Sequence, residues 1–176
     1  MFAVKCATAS GLCAAFGIAY MVQTATVNAP PAGSVGEGKT RICVSGYNLS
    51  PPTAHSHFLA DKIARKHGDK YETWYFWSIF AYHKFLFEKF DKVSFGDLGA
   101  HKLVGHETSP FVWFETQNKE SGSPQVSKIL GGNDRFCEWV QQTFPDDEEL
   151  VSFAKQAPSV GSMIHYKKAP ATASEK

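Results

Sequence analysis

Hydrophobic and polar positions divide the chain into four stretches of different character. From Cys6 to Val27 no charged residue interrupts the sequence. As a helix rising about 1.5 Å per residue, a stretch of that length crosses a hydrocarbon core of roughly 30 Å. Residues 1–27 are therefore expected to form an N-terminal membrane anchor. Pro30, Pro31, Gly33, Gly36 and Gly38 then interrupt any periodicity, so residues 28–39 read as an irregular linker. From residue 40 the pattern becomes that of a packed domain. Arg41–Ser45 is a short strand with β-branched residues, and Pro51-Pro52 opens a helix whose apolar positions Ala54, Phe58, Leu59 and Ile63 recur at helical spacing before Gly68. Tyr71–Trp77 is an aromatic strand, and Phe80, His83, Phe87 and Phe90 step around a helix that Gly96 and Gly99 break.

The second half of the domain is a hairpin feeding a helix. Ser109-Pro110 opens the strand Phe111–Phe114, since proline lacks a ladder donor and belongs at a strand's first residue. A second strand, Ser127–Leu130, stops at Gly131-Gly132, after which Asn133 or Asp134 is expected to cap a helix. Beyond Phe144-Pro145, the acidic run 146–149 suits the first turn of a short helix through Ala157. Residues 158–176 read as a polar tail. The order of elements predicts an α/β domain over residues 40–157, with a mixed sheet and helices on both faces.

Composition narrows the functional classes. The chain has 18 basic and 17 acidic residues, so no field recruits nucleic acid. Cysteines stand at 6, 13, 43 and 137 without Cys-x-x-Cys spacing, which supports neither a disulfide framework nor a zinc site. His55 and His57 lie two apart on a helix, and His83, His101 and His106 lack acidic or cysteine partners at ligand spacing. The histidines are expected at the surface or at helix caps, and neither metal nor cofactor is expected. The first 27 residues are rich in Ala, Gly, Ser and Thr, so lipid alone holds them weakly. Gly11, Ala15 and Ala19 offer a small-residue face suited to packing against helices of other subunits within the bilayer. A cleaved signal peptide or an organelle presequence are the alternatives for this stretch.

The run Glu107-Thr108-Ser109-Pro110-Phe111-Val112-Trp113-Phe114, followed by Lys128-Ile129-Leu130-Gly131-Gly132-Asn133-Asp134-Arg135-Phe136, resembles the second half of a glutaredoxin-like thioredoxin fold. Within that group it is most similar to the N-terminal domain of the malate dehydrogenase 1B proteins, over residues 40–145. The resemblance implies a thioredoxin-like fold in which Ser109-Pro110 is cis and lies beside the turn Tyr47–Thr53. It further implies a glutathione-type site built from Ser50, Pro51, Ser109, Pro110, Asn133 and Asp134. With Leu59-Ala60-Asp61 matched to the family's Leu-Ala-Asp, Ser50 stands where the nucleophilic cysteine belongs. A helix N-terminus does not acidify a serine hydroxyl enough to attack a disulfide, so the site is expected to be vestigial and the protein not an enzyme. No Gly-x-Gly-x-x-Gly is present, and dehydrogenase activity does not carry over.

These readings combine into the expectation of a redox-inactive accessory subunit of a membrane complex. The weakly hydrophobic single span and the absent disulfide pairs point to the mitochondrial inner membrane, in a respiratory-chain or ATP synthase complex. The competing expectations are a glutathione-dependent oxidoreductase or transferase using Cys43 or Ser50, and a glutathione- or peptide-binding module.

Overall fold

A computed structural model describes residues 26–90 and 108–160. The expected anchor, with Gly11, Ala15 and Ala19, lies outside the described residues except for its last two positions. The Gly96 and Gly99 break, Glu107 and most of the polar tail also lie outside them. No helix among the described residues is long and apolar enough to cross a membrane.

Strand β1 (Thr40–Gly46) runs through the centre of a four-stranded sheet. It pairs in parallel with β2 (Tyr71–Trp77) and antiparallel with β3 (Phe111–Gln117), which pairs antiparallel with β4 (Pro124–Gly131). The spatial order is β2-β1-β3-β4, a mixed sheet. Helices α1 (Pro51–Lys66), α2 (Tyr82–Phe90), α3 (Asn133–Thr143) and α4 (Glu148–Ala154) complete the chain order.

Alternation along the strands sends side chains to two cores. Ile42, Val44, Val112, Phe114 and Leu130 pack with α1, α3 and α4 on one face, and Cys43, Phe111, Trp113 and Ile129 pack with α2 on the other. Trp113 and Phe114 are thus core residues on opposite faces.

Helix α1 starts where the sequence places it. Ser50 is its N-cap, with its hydroxyl accepting from the Thr53 amide at 3.4 Å, and the prolines occupy the first turn, where amide donors have no helical partner. His67 closes the helix by donating its amide to the Ile63 carbonyl. The buried face differs from the expected one. Thr53, His55 and Ser56 are buried together with Leu59, Ala60 and Ile63, while Ala54 and Phe58 sit at the boundary. The first turns of α1 bury polar groups because partners from β3 and α3 meet them there.

Helix α2 is rotated from the expected face. Ala81, Tyr82, Phe85, Leu86 and Phe90 are buried, whereas Phe80 and Phe87 are exposed. Tyr82, Phe85, Leu86 and Phe90 recur at helical spacing and form the buried stripe, while the additional aromatics Phe80 and Phe87 lie off it.

Two helix boundaries also move. Gly132, not Asn133 or Asp134, is the N-cap residue of α3 and, lacking a side chain, makes no capping bond; the Asn133 side chain turns inward to α1. Helix α4 is capped by the Asp147 carboxylate accepting from the Leu150 amide, and it ends at Ala154 rather than Ala157.

The linker is irregular but docked. Val35 is buried, Arg41 donates to the carbonyls of Gly33 and Ser34, and the Glu72 carboxylate accepts from the Gly36 amide at 3.1 Å. Val27 and Ala29 pack against the core on the α2 side of the sheet.

Candidate functional site

The carboxyl end of β1 leads through Gly46 and Tyr47 to the N-terminus of α1, and the start of β3 lies beside this turn. The Ser109–Pro110 peptide is cis. The Ser50 hydroxyl donates toward the Ser109 carbonyl at 3.5 Å, so the two elements meet as the resemblance implies. Ser109 is itself fully engaged. Its Oγ accepts from the Tyr47 amide at 2.8 Å and lies 2.6 Å from Thr53 Oγ1. A Cβ at Gly46 would collide with both Thr53 Oγ1 and Ser109 Oγ, so only glycine leaves room for this hydroxyl pair. Pro110 is buried behind it.

The rim of the turn is aromatic. Tyr47 Oη lies 2.5 Å from His83 Nε2, its ring meets Tyr82 edge-on at 4.9 Å, and the Tyr82 hydroxyl donates to the Thr108 carbonyl. Tyr47 and His83 tie the turn to the first turn of α2.

Asn133 joins the same region from the other side, one turn further along α1. Its Oδ1 accepts from Ser56 Oγ at 2.9 Å and lies 2.9 Å from His55 Nδ1. His55 Nε2 donates to the Phe153 carbonyl at 3.0 Å, and the imidazole stacks on the Phe153 ring at 4.7 Å. His55 is fully buried, which corrects its expected surface position; the hydrogen bond to the Phe153 carbonyl and the stack on the Phe153 ring make burial tolerable. The Asn133 Oδ1 is thereby committed inside the protein. Asp134 is exposed at the first turn of α3 and makes no described contact with Ser50, Pro51, Ser109 or Pro110.

Neither described cysteine supplies a thiolate. Cys43 is buried in β1, and burial followed by the nearby Glu115 carboxylate pushes its thiol well above the usual range. Burial and then the Asp134 charge push the Cys137 thiol up to about 12. Cys137 Sγ lies 3.8 Å from His55 Nδ1, within the same enclosed network.

A second charged cluster underlies the α2 face. Glu115, almost fully buried, receives Lys89 Nζ at 2.7 Å and Trp113 Nε1 at 3.0 Å on one oxygen, while Arg41 lies 3.6 Å from the other. Burial alone would raise the carboxyl, but hydrogen bonds from Lys89 and Trp113, with the charges of Lys89 and Arg41, hold it below the ordinary value. Arg41 also pairs with Glu72 at 2.7 Å. This cluster is structural: it fastens β1, β2, β3, α2 and the linker together.

A concavity of about 690 Å³ lies at the far end of α1, lined in part by Lys66, His67, Phe144, Pro145 and Asp147. Sixteen residues of helix separate it from Ser50, about 24 Å at helical rise. Its cation is committed, since Lys66 pairs with Asp147 and Glu149.

His55, Ser56 and His83 were not anticipated as parts of this region, and Tyr47 and Thr53 were expected there only as the ends of the turn, without a role of their own. The one available signal was the Ser50-x-x-Thr53 spacing, which places a second hydroxyl over the cap. Chemically, the assembled groups hold the start of β3 against α1 by hydrogen bonds, and no described residue activates Ser50 as a nucleophile. No protein-family model matches the chain, and a search of curated proteins finds no match.

Proposed function

We propose that the domain has a thioredoxin-like, glutaredoxin-like fold whose site has been converted from chemistry to structure, and that the protein acts as a redox-inactive accessory subunit of a membrane complex. The observation that carries this reading is the use of Ser50. Where the resemblance would place a nucleophilic thiol, a hydroxyl caps α1 and faces the Ser109 carbonyl. The residues around it spend their polar groups on one another. Ser109 is held by Tyr47 and Thr53, and Asn133 by His55 and Ser56.

The membrane part of the proposal rests on the uncharged stretch Cys6–Val27, whose small-residue face at Gly11, Ala15 and Ala19 suits neighbouring protein helices better than lipid tails. Within this reading the protein is a single-pass subunit of a respiratory-chain or ATP synthase complex in the mitochondrial inner membrane. Native extraction in mild detergent, followed by mass spectrometry of the N-terminus and of co-purifying chains, tests it. The expected result is an intact N-terminus and a stable set of membrane subunits. A mature chain beginning near Ala29, recovered alone from a soluble fraction, would overturn it. Replacing Gly11 or Ala15 with Leu adds the second arm. The added bulk is expected to reduce co-purification while raising hydrophobicity, and an unchanged partner set at unchanged yield would remove the structural role of the helix.

A further inference from the structure

We infer that the free edge of β2 is an isologous interface, through which two copies of this chain join their sheets antiparallel about a twofold axis at Tyr75. The two edges of the sheet are built differently. Strand β4 opens with Pro124, carries the exposed Lys128 and pairs through two register irregularities, all devices that discourage another strand. Strand β2, Tyr71-Glu72-Thr73-Trp74-Tyr75-Phe76-Trp77, has none of them: it is regular, lacks proline and lysine, and is dominated by aromatic residues.

The ladder identifies the groups that face outward. Thr40 donates its amide to the Lys70 carbonyl, and Gly46 accepts from the Ser78 amide. With a period of two, the amides of Glu72, Trp74, Phe76 and Ser78 point to β1, and those of Thr73, Tyr75 and Trp77 point away. Among the described residues no strand pairs with that outer side. The Tyr71 amide also lies on that side, but it already donates to the His67 carbonyl at 2.8 Å.

This decides the register. An axis at Trp74 would require the occupied Tyr71 to pair with Trp77. An axis at Tyr75 pairs Tyr75 with itself and Thr73 with Trp77, whose outward groups bond to no strand among the described residues. It sets Trp74 opposite Phe76 on one face, and Glu72, the strand's only charge, opposite Ser78 rather than its own copy. Glu72 is neutralised by Arg41 within its own subunit. The pairing therefore opposes no like charges and aligns aromatic neighbours on both faces.

The test uses the full chain in mild detergent, with two differently tagged copies co-expressed, capture by one tag and sedimentation of the eluate. Thr73→Pro removes an outward amide without touching the β1 ladder, and Thr73→Lys introduces a charge at the edge. The wild-type chain is expected to form a dimer that captures both tags, and each variant to be monomeric with its thermal melting retained. Should Thr73→Pro fail to fold, Thr73→Lys decides alone. A wild-type monomer at micromolar concentration overturns the inference, as does a dimer that survives substitution, because it is held elsewhere. Amide exchange supplies the remaining arm: protection of Thr73, Tyr75 and Trp77 is expected to disappear with the dimer. Protection that persists in a monomer, or arises only when other subunits are added, assigns the edge to a different occupant and overturns pairing of like with like.

Discussion

Ser50 Oγ lies 3.5 Å from the carbonyl oxygen of Ser109, and the same hydroxyl accepts from the Thr53 amide at 3.4 Å. One side chain thus closes the start of α1 and fastens it to the start of β3. Ser50→Ala is expected to destabilise the fold by about 1 kcal/mol, the usual effect of losing an N-cap oxygen. Urea denaturation measures it. Ser50→Asn, which can still cap, should recover most of the loss, and an unchanged midpoint in the alanine variant would show that the cap contributes nothing.

The thiols should be silent. Glutathione-dependent disulfide reduction by the purified chain is expected at background, and Cys43→Ala or Cys137→Ala should each lower stability by roughly 1 kcal/mol, the scale of losing a small buried group. Turnover that disappears with either substitution would restore the oxidoreductase reading.

His55 holds together three elements, since it meets Asn133 of α3 and the Phe153 carbonyl of α4 from its place on α1. His55→Ala removes packing and leaves buried polar groups unpaired, with an expected loss of about 3 kcal/mol. Asn133→Ala should cost about 2 kcal/mol for the same reason. In a double-mutant cycle the two losses should add to more than the loss in the double variant. Strict additivity would show that the residues act independently.

Acid should weaken the fold partly through Glu115. Its carboxyl is held below the ordinary value in the folded state, so its stabilising contribution is fully present above the unfolded glutamate value of about 4.3 and is lost as pH falls through the lower folded value. Glu115→Gln is expected to flatten this acid limb of the stability curve. At neutral pH it should cost on the order of 3 kcal/mol, because Lys89 and Arg41 lose a buried partner. Chemical denaturation across pH 3–7 reads both effects, and parallel acid limbs in the two proteins would refute the assignment.

Arg41→Ala should release the segment before β1. Amides from Ser34 to Gly36 are expected to exchange faster in the variant, by more than the general loss of protection that follows from depriving Glu115 of a buried partner. Equal exchange rates would mean that Val35 and the Glu72 carboxylate hold the segment without Arg41.

The strands were legible because their signals are local. Tyr71–Trp77 could be read from aromatic content, and Ser109-Pro110 and Gly131-Gly132 marked where β3 begins and β4 ends, whereas β3 runs three residues past Phe114 and β4 begins three residues before Ser127, in largely polar sequence. The helix faces were harder. In α2 the buried Tyr82, Phe85, Leu86 and Phe90 recur at helical spacing, but Phe80, His83, Phe87 and Phe90 offer a second aromatic stripe a step away, and local spacing alone does not rank the two. In α1 the inward turns of Thr53, His55 and Ser56 depend on Ser109 and Asn133, which are more than fifty residues away. Hydrophobic periodicity records burial of apolar groups and is blind to a polar network satisfied by distant partners. Asn133 was misplaced as a cap for the same reason: its amide does better against Ser56 and His55 than against its own helix.

The docked segment before β1 bears on mechanics. A flexible connector of comparable length would let its two ends wander over something like 20 Å. Here Val35 is anchored in the interior, Gly33, Ser34 and Gly36 are clasped by side chains, and Val27 and Ala29 rest on the α2-side core. Almost no slack remains between the sheet and residue 26. Whatever holds the first residues in place would thus transmit its position and heading to the domain, more like a bracket than a leash.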